Sequence, residues 1–281
     1  MLHEHHRLSW RTVLVLCFAR KLPNVDAAPS LHALADHFGT DKSLRAGHGY
    51  VSAYSMLLEP MRHTISNMTE VGVLTGSSLL MWASYFPHAE IWGLDIALQS
   101  MARERCSNIS RIHLRAASSQ SETTPQELGL VNETMDLVID DGDHSRDGNA
   151  RTAASLWRLV RPGGLYVIED VATGADRRGK YGSGGDNDRP GWASVVHHPS
   201  PVLSDIYDNN DVFFADTMVG AGFAQSKFVK QQIAHRWMKD QVDHNGHLVV
   251  VRKRAHSERR DDSPRSAHAK PSVTKAGKSD R

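Results

Sequence analysis

The stretch from Met135 to Gly174 constrains this chain more than any other. It reads M-D-L-V-I-D-D-G-D-H-S-R-D, then a segment of helical periodicity, then R-P-G-G-L-Y-V-I-E-D-V-A-T-G. Two short apolar runs, Met135–Ile139 and Leu165–Ile168, each lead into a pair of acids, Asp140/Asp141 and Glu169/Asp170. Between them, Asn149 to Val160 carries Ala153, Leu156, Trp157 and Val160 at helical spacing. Strand, helix and strand in that order make a β-α-β unit whose two strands are neighbours in one sheet. Isolated buried charge is costly unless it is paired or bound to metal. Acids gathered just past two strand ends therefore have work outside the core.

The same alternation runs upstream. Leu31 to Phe38 reads as a helix ending at Gly39, and Tyr50 to Met61 as a second, with Tyr54, Leu57, Leu58 and Met61 on one face. A strand from Met68, a glycine-bearing turn and a helix over 77–86 follow, and Pro87 stops that helix. Glu90 to Ile96 is the next strand, with Asp95 at its tip. Gly72 and Gly76 let backbone approach a ligand, and the helix behind them offers free N–H groups. Asp95 stands where an acid accepts hydrogen bonds from ribose hydroxyls. The spacing is E-x-G-x-x-x-G from Glu70 to Gly76, with Leu74 where a dinucleotide fingerprint needs glycine. The plainer alternative is that Glu70, Gly72 and Gly76 only build a strand-to-helix turn. Arg111 to Arg115 is the third strand, followed by polar residues 116–134 with a short helix at Pro125–Leu128.

The expected fold is thus α/β, a doubly wound sheet with ligands beyond the carboxyl ends of its strands. There Asp141, Glu169 and Asp170 would share one small volume. Oxygen-only donors favour a hard divalent cation, Mg²⁺ with Mn²⁺ and Ca²⁺ as alternatives, over zinc. The competing reading gives the acids separate tasks, with Asp140 and Asp170 capping helices or pairing with Arg146 and Arg151. His144, one turn past Asp141, is a candidate general base near neutral pH, or a histidine that satisfies loop backbone. A net charge of +1 over 281 residues gives no overall field for nucleic acid or membrane, and no apolar run is long enough to span a bilayer. Cys17 and Cys106 make neither a zinc spacing nor a disulfide framework.

Several of these motifs together resemble the metal-dependent sugar O-methyltransferases of macrolide biosynthesis, the mycinamicin and macrocin type. They are G-T-D-K at 39–42, Tyr50 and Tyr54, W-x-x-Y-F-P-x-A-x-I-x-G-x-D-I at 82–96, D-D-G-x-H at 140–144 and R-P-G-G-L-Y-V-I-E-D at 161–170. The similarity covers Leu31 to Thr173. It implies a Rossmann-like methyltransferase sheet with a closing antiparallel hairpin. It implies S-adenosylmethionine over Glu70, Gly72, Gly76 and Asp95, Mg²⁺ at Asp141, Glu169 and Asp170, and His144 as base. The chain departs from the family at Ala116–Gln120, where a G-D-Q-like segment is usual, so Ser118 or Ser119 would make the adenine-side contacts. It also departs at Asp143, where the family has a small polar residue. A nicotinamide oxidoreductase and a degenerate cofactor-binding module are the alternatives to an active methyltransferase.

Residues 1–30 form an N-terminal arm or a weak signal-like segment, with Val13–Ala19 as its apolar core and Arg20-Lys21 interrupting it. Cytoplasmic residence is the expectation, and secretory or organellar targeting the alternative that this arm offers. The methyltransferase domain is expected over 31–254, with 174–201 as a variable substrate loop for a small hydroxylated molecule. Val202 to Thr217 reads as a helix, and Phe228–Ile233 with Leu248–Arg252 as the closing hairpin. From Ala255 the chain lacks large apolar residues and is expected to be disordered. The sequence leaves a homo-oligomer open.

Overall fold

The computed structural model describes residues 28–45, 49–171, 200–216 and 247–258. The signal-like arm to residue 27, most of the 174–201 loop, the Phe228–Ile233 strand and the tail beyond residue 258 lie outside them. Seven strands form one sheet in the order β3-β2-β1-β4-β5-β7-β6. They are β1 (Asn67–Val71), β2 (Glu90–Asp95), β3 (Ile112–Ala116), β4 (Met135–Asp140), β5 (Val160–Ile168), β6 (Asp211–Asp216) and β7 (His247–Arg252). The first five pair in parallel, and β7 runs antiparallel to both β5 and β6.

Parallel strands are covered on both faces, and the side-chain alternation shows it. Leu137, Ile139, Leu165 and Val167 face one core, with Leu31, Tyr54, Leu79 and Trp82 from α1 (Leu31–Phe38), α2 (Tyr50–Leu58) and α3 (Ser77–Tyr85). Val138, Tyr166 and Ile168 face the other, with Leu156, Leu203 and Ile206 from the helices on that side. Ser30 caps α1 by accepting from the Ala33 N–H at 3.2 Å, and Gly39, left-handed at φ +69°, ends it. Four further α-helices lie among the described residues: α4 (Ser100–Cys106), α5 (Thr124–Glu127), α6 (Arg146–Leu156) and α7 (Pro201–Asn209). Among the described residues no helix is long and apolar enough to cross a membrane.

Three boundaries differ from the sequence expectation. The helix over 202–217 stops at Asn209, and Asp211–Asp216 is β6, the antiparallel partner of β7. The closing antiparallel pair is therefore present, with its second strand drawn from a segment read as helix. The V-F-F-A run is too short to show a period against the helix before it. R-P-G-G lies inside β5 rather than ahead of it. Met135 pairs with Val160 and Leu137 with Leu165, so four residues of β5 stand opposite one of β4, three extra, and Gly163 at φ +79° allows the bend. Helix α6 starts earlier than expected because Ser145 caps it, accepting from the Gly148 N–H at 3.0 Å.

Candidate active site

Strand register sets the site. Val71 pairs with Asp140 and Asp140 with Ile168, so the residues that follow on β4 and β5 emerge side by side. The ladder runs one step further: Asp141 N–H donates to Val71 at 3.1 Å and Glu169 N–H to Asp140 at 3.0 Å. Asp141, Glu169 and Asp170 are brought together there.

A lysine the sequence reading gave no role lies among them. Lys42, fully buried, places its ammonium 2.6 Å from Asp141 Oδ2, 2.7 Å from Glu169 Oε2 and 3.3 Å from Glu70 Oε1. Two tyrosines of α2 complete the contacts. Tyr54 donates to Glu169 Oε1 at 2.5 Å, and Tyr50 donates to Asp170 Oδ1 at 2.5 Å. Trp82 packs edge-on against Tyr54 with ring centroids 5.2 Å apart, fixing that ring. G-T-D-K, Tyr50 and Tyr54 carried the family resemblance, and the fold delivers all three to the acids. A lysine in a short inter-helix loop, 99 and 127 residues before two of its three partners, has no local signature that would reveal this.

His144 stands at the mouth of the same cluster. Its Nε2 is 3.7 Å from Asp170 Oδ2 and 4.0 Å from Asp141 Oδ1, while its buried Nδ1 has no hydrogen-bond partner among the described residues. One ligand atom each from Asp141, His144 and Asp170 lies within 4.8 Å of the others. Both oxygens of Glu169 are already engaged, Oε2 by Lys42 and Oε1 by Tyr54, and that set does not include it. His144 and Asp170 adopt φ of +57° and +53°, a region that non-glycine residues seldom occupy and that concentrates at functional sites.

The electrostatics follow from burial. Burial alone would lower the Lys42 ammonium's pKa; Asp141, Glu169 and Glu70 outweigh it and hold it well above the ordinary lysine value. Burial raises Asp141 and Glu169 despite Lys42 beside them, and pushes Glu70 up to about 7. The cluster is short of positive charge. Carboxylate oxygens of Asp141 and Asp170 facing one point are donors that a hard divalent cation fits, and the His144 imidazole stands at their edge. Asp140 is separate: it is buried, accepts from Asn149 Nδ2 at 2.9 Å, and is pushed by burial to about 7. Asp143 turns away to Gln120 at 2.8 Å and to Arg151 at 3.9 Å.

The glycine loop adjoins the acids directly. Gly72 has φ +86°, and a Cβ there would stand 1.9 Å from the Asp141 carbonyl oxygen; one at Gly76 would stand 2.9 Å from Cys106 Sγ. Both glycines thus make room for the chain's own packing. Asp95 Oδ2 accepts from the Val73 and Leu74 N–H groups at 2.9 and 3.3 Å, joining the β2 tip to this loop. Leu74 and Ile96, 57% and 79% exposed, present apolar surface on either side of Asp95. Ser118 Oγ accepts weakly from the Gln120 N–H at 3.3 Å, whereas Ser119 is bound to Thr152 at 3.0 Å and unavailable. Glu70 is fully buried and faces Lys42.

Strand order, glycine turn, acidic β2 tip and antiparallel edge together define the Rossmann-like methyltransferase fold. Residues 69–171 match the family model described as a methyltransferase domain. The particular relatives are sugar O-methyltransferases of natural-product pathways. The chain is 34% identical over 152 residues to the 8-demethyl-8-alpha-L-rhamnosyl tetracenomycin-C 2'-O-methyltransferase of Streptomyces olivaceus, covering 52% of this chain and 38% of that protein. It is 33% identical over 196 residues to the demethylmacrocin O-methyltransferase of Streptomyces fradiae, covering 66% and 44%. The MycE methyltransferase of the mycinamycin pathway, solved with Mg and SAH, superposes with a TM-score of 0.55 at 24% identity, over 84% of this chain and 57% of that one. This chain thus spans less than half the length of these two curated relatives. The nicotinamide alternative finds no support among them.

Proposed function

We propose that this chain transfers a methyl group from S-adenosylmethionine to a hydroxyl of a sugar or polyol on a glycosylated natural product, with Mg²⁺ assistance and His144 as general base. One observation carries the reading. The loop after β1 packs on the main chain of Asp141, so a cofactor seated on that loop lies beside Asp141, His144 and Asp170. The relatives named for sugar O-methylation support the acceptor class.

When bound, S-adenosylmethionine supplies the methyl group, and the cation supplies charge that favours the deprotonated hydroxyl. Gly72, Gly76 and Ser118 line the cofactor side, Asp95 takes the ribose, and Leu74 and Ile96 give the nucleoside an apolar ledge. Glu70 acts from beneath, through Lys42. Asp141 and Asp170 hold the metal, with Glu169 as third acid. His144 takes the acceptor's proton at Nε2, and the charge that develops on its ring faces two carboxylates. The domain is assigned to 31–254, with 174–201 setting the acceptor.

A labelled-methyl assay over glycosides and catechols tests this. His144→Ala is expected to lose at least about 100-fold in turnover while S-adenosylhomocysteine binding by calorimetry is kept. Near-normal turnover would remove the base, and indifference to EDTA and added Mg²⁺ would remove the metal.

A further inference from the structure

Lys42 belongs to the loop between α1 and α2, outside the sheet, yet its ammonium lies between the ends of three strands. Glu70 is on β1, Asp141 follows β4 and Glu169 follows β5, and all three are within 3.3 Å of Nζ. The lysine is held from both sides of its own backbone. Its N–H donates to Thr40 Oγ1 at 3.4 Å, and its carbonyl accepts from the Val51 N–H of α2 at 3.1 Å. Its side chain has no exposure to solvent.

Asp141 divides its two oxygens. Oδ2 goes to Lys42, and Oδ1 turns toward His144 and the Asp170 side of the cluster. Without a cation at Nζ, the buried carboxyls of Glu70 and Glu169 and the partly buried one of Asp141 would face one another uncompensated, and nothing on their own strands would relieve them.

We propose that Lys42 is a positioning residue and a built-in counter-cation. It holds Glu70, Asp141 and Glu169 together whether or not a divalent ion is bound, and it sets Asp141 Oδ1 toward the metal position. The metal half of this inference rests on the function proposed above; the lysine half does not. The site is therefore not a property of the sheet alone. The loop and helix ahead of β1 supply its resident charge through Lys42 and two of its hydrogen bonds through Tyr50 and Tyr54. Removing Lys42 would leave the acids to draw their counter-charge from solution, so a divalent ion should stabilise the variant more than the parent.

The test compares melting temperatures of the full chain, Lys42→Met, Glu169→Gln and the double variant, in EDTA and in excess Mg²⁺. In EDTA, Lys42→Met is expected to melt about 10 °C below the parent. Adding Glu169→Gln should recover half or more of that loss, because one opposing charge is gone. Mg²⁺ should raise the melting temperature of Lys42→Met more than that of the parent. A Lys42→Met chain unfolded in EDTA supports the inference if either Glu169→Gln or Mg²⁺ restores a cooperative melt. A variant that melts with the parent, or whose loss neither change recovers, overturns it. A parent indifferent to Mg²⁺ removes the metal half, and the EDTA comparison still decides the lysine half.

Discussion

Replacing Gly72 by alanine tests how rigidly the glycine loop is seated on the acids. Two costs add there. A side chain at φ +86° costs about 1–2 kcal/mol in backbone strain. The new Cβ would also lie 1.9 Å from the Asp141 carbonyl oxygen, well inside contact distance, and that oxygen belongs to backbone and cannot rotate aside. Both partners are pinned, Gly72 N–H to Leu94 at 2.9 Å and Asp141 N–H to Val71 at 3.1 Å. Relief means overpacking or a lost backbone bond, about 1–3 kcal/mol more. The expected loss is roughly 2–5 kcal/mol in urea unfolding. Gly129→Ala is the control: it shares a positive φ, +69°, but a Cβ there meets nothing within 4 Å, so it should cost only the strain of about 1–2 kcal/mol. If the two variants unfold within about 1 kcal/mol of each other, the loop yields freely, and its seating on Asp141 does not fix the site.

Two other outcomes are checkable in the same way. Asp136→Ala removes a buried acceptor of the Ser66 and Asn67 N–H groups, at 2.7 and 3.0 Å, and of Arg161; a loss of about 3 kcal/mol is expected in urea, and a loss below about 1 would show these bonds replaceable by water. Asp140→Asn should flatten the pH dependence of stability. Burial pushes this carboxyl from 3.8 up to about 7, so the folded state keeps a proton that the unfolded state loses, and stability falls as pH rises between those values. Asparagine can still accept from Asn149, and unfolding at pH 5 and 7 should show the parent losing more than the variant; equal losses would mean Asp140 is ionised in the fold.

The alternation of strands and helices, the acids after β4 and β5 and the acid on β2 are all written in order along the chain. Each is a local pattern, read from the period of its own run and the residue that ends it. The fate of Val202–Thr217 was not legible, because β6 exists through its pairing with β7, some thirty residues further on. Gly72 was legible as a residue that must be glycine, but the reason lay in Asp141, on a strand far along the sequence.

Sequence by itself determined which side chains would crowd the carboxyl edge of a parallel sheet, because strand polarity and a β-α-β order leave Asp141, Glu169 and Asp170 nowhere else to go. It did not determine what answers their charge. That depended on α1 and α2 packing against the sheet so that Lys42, Tyr50 and Tyr54 reach three acids from outside the β-α-β pattern. Coulombic compensation of a buried cluster depends on distances of about 3 Å, and distances between residues a hundred positions apart are fixed only by the tertiary fold.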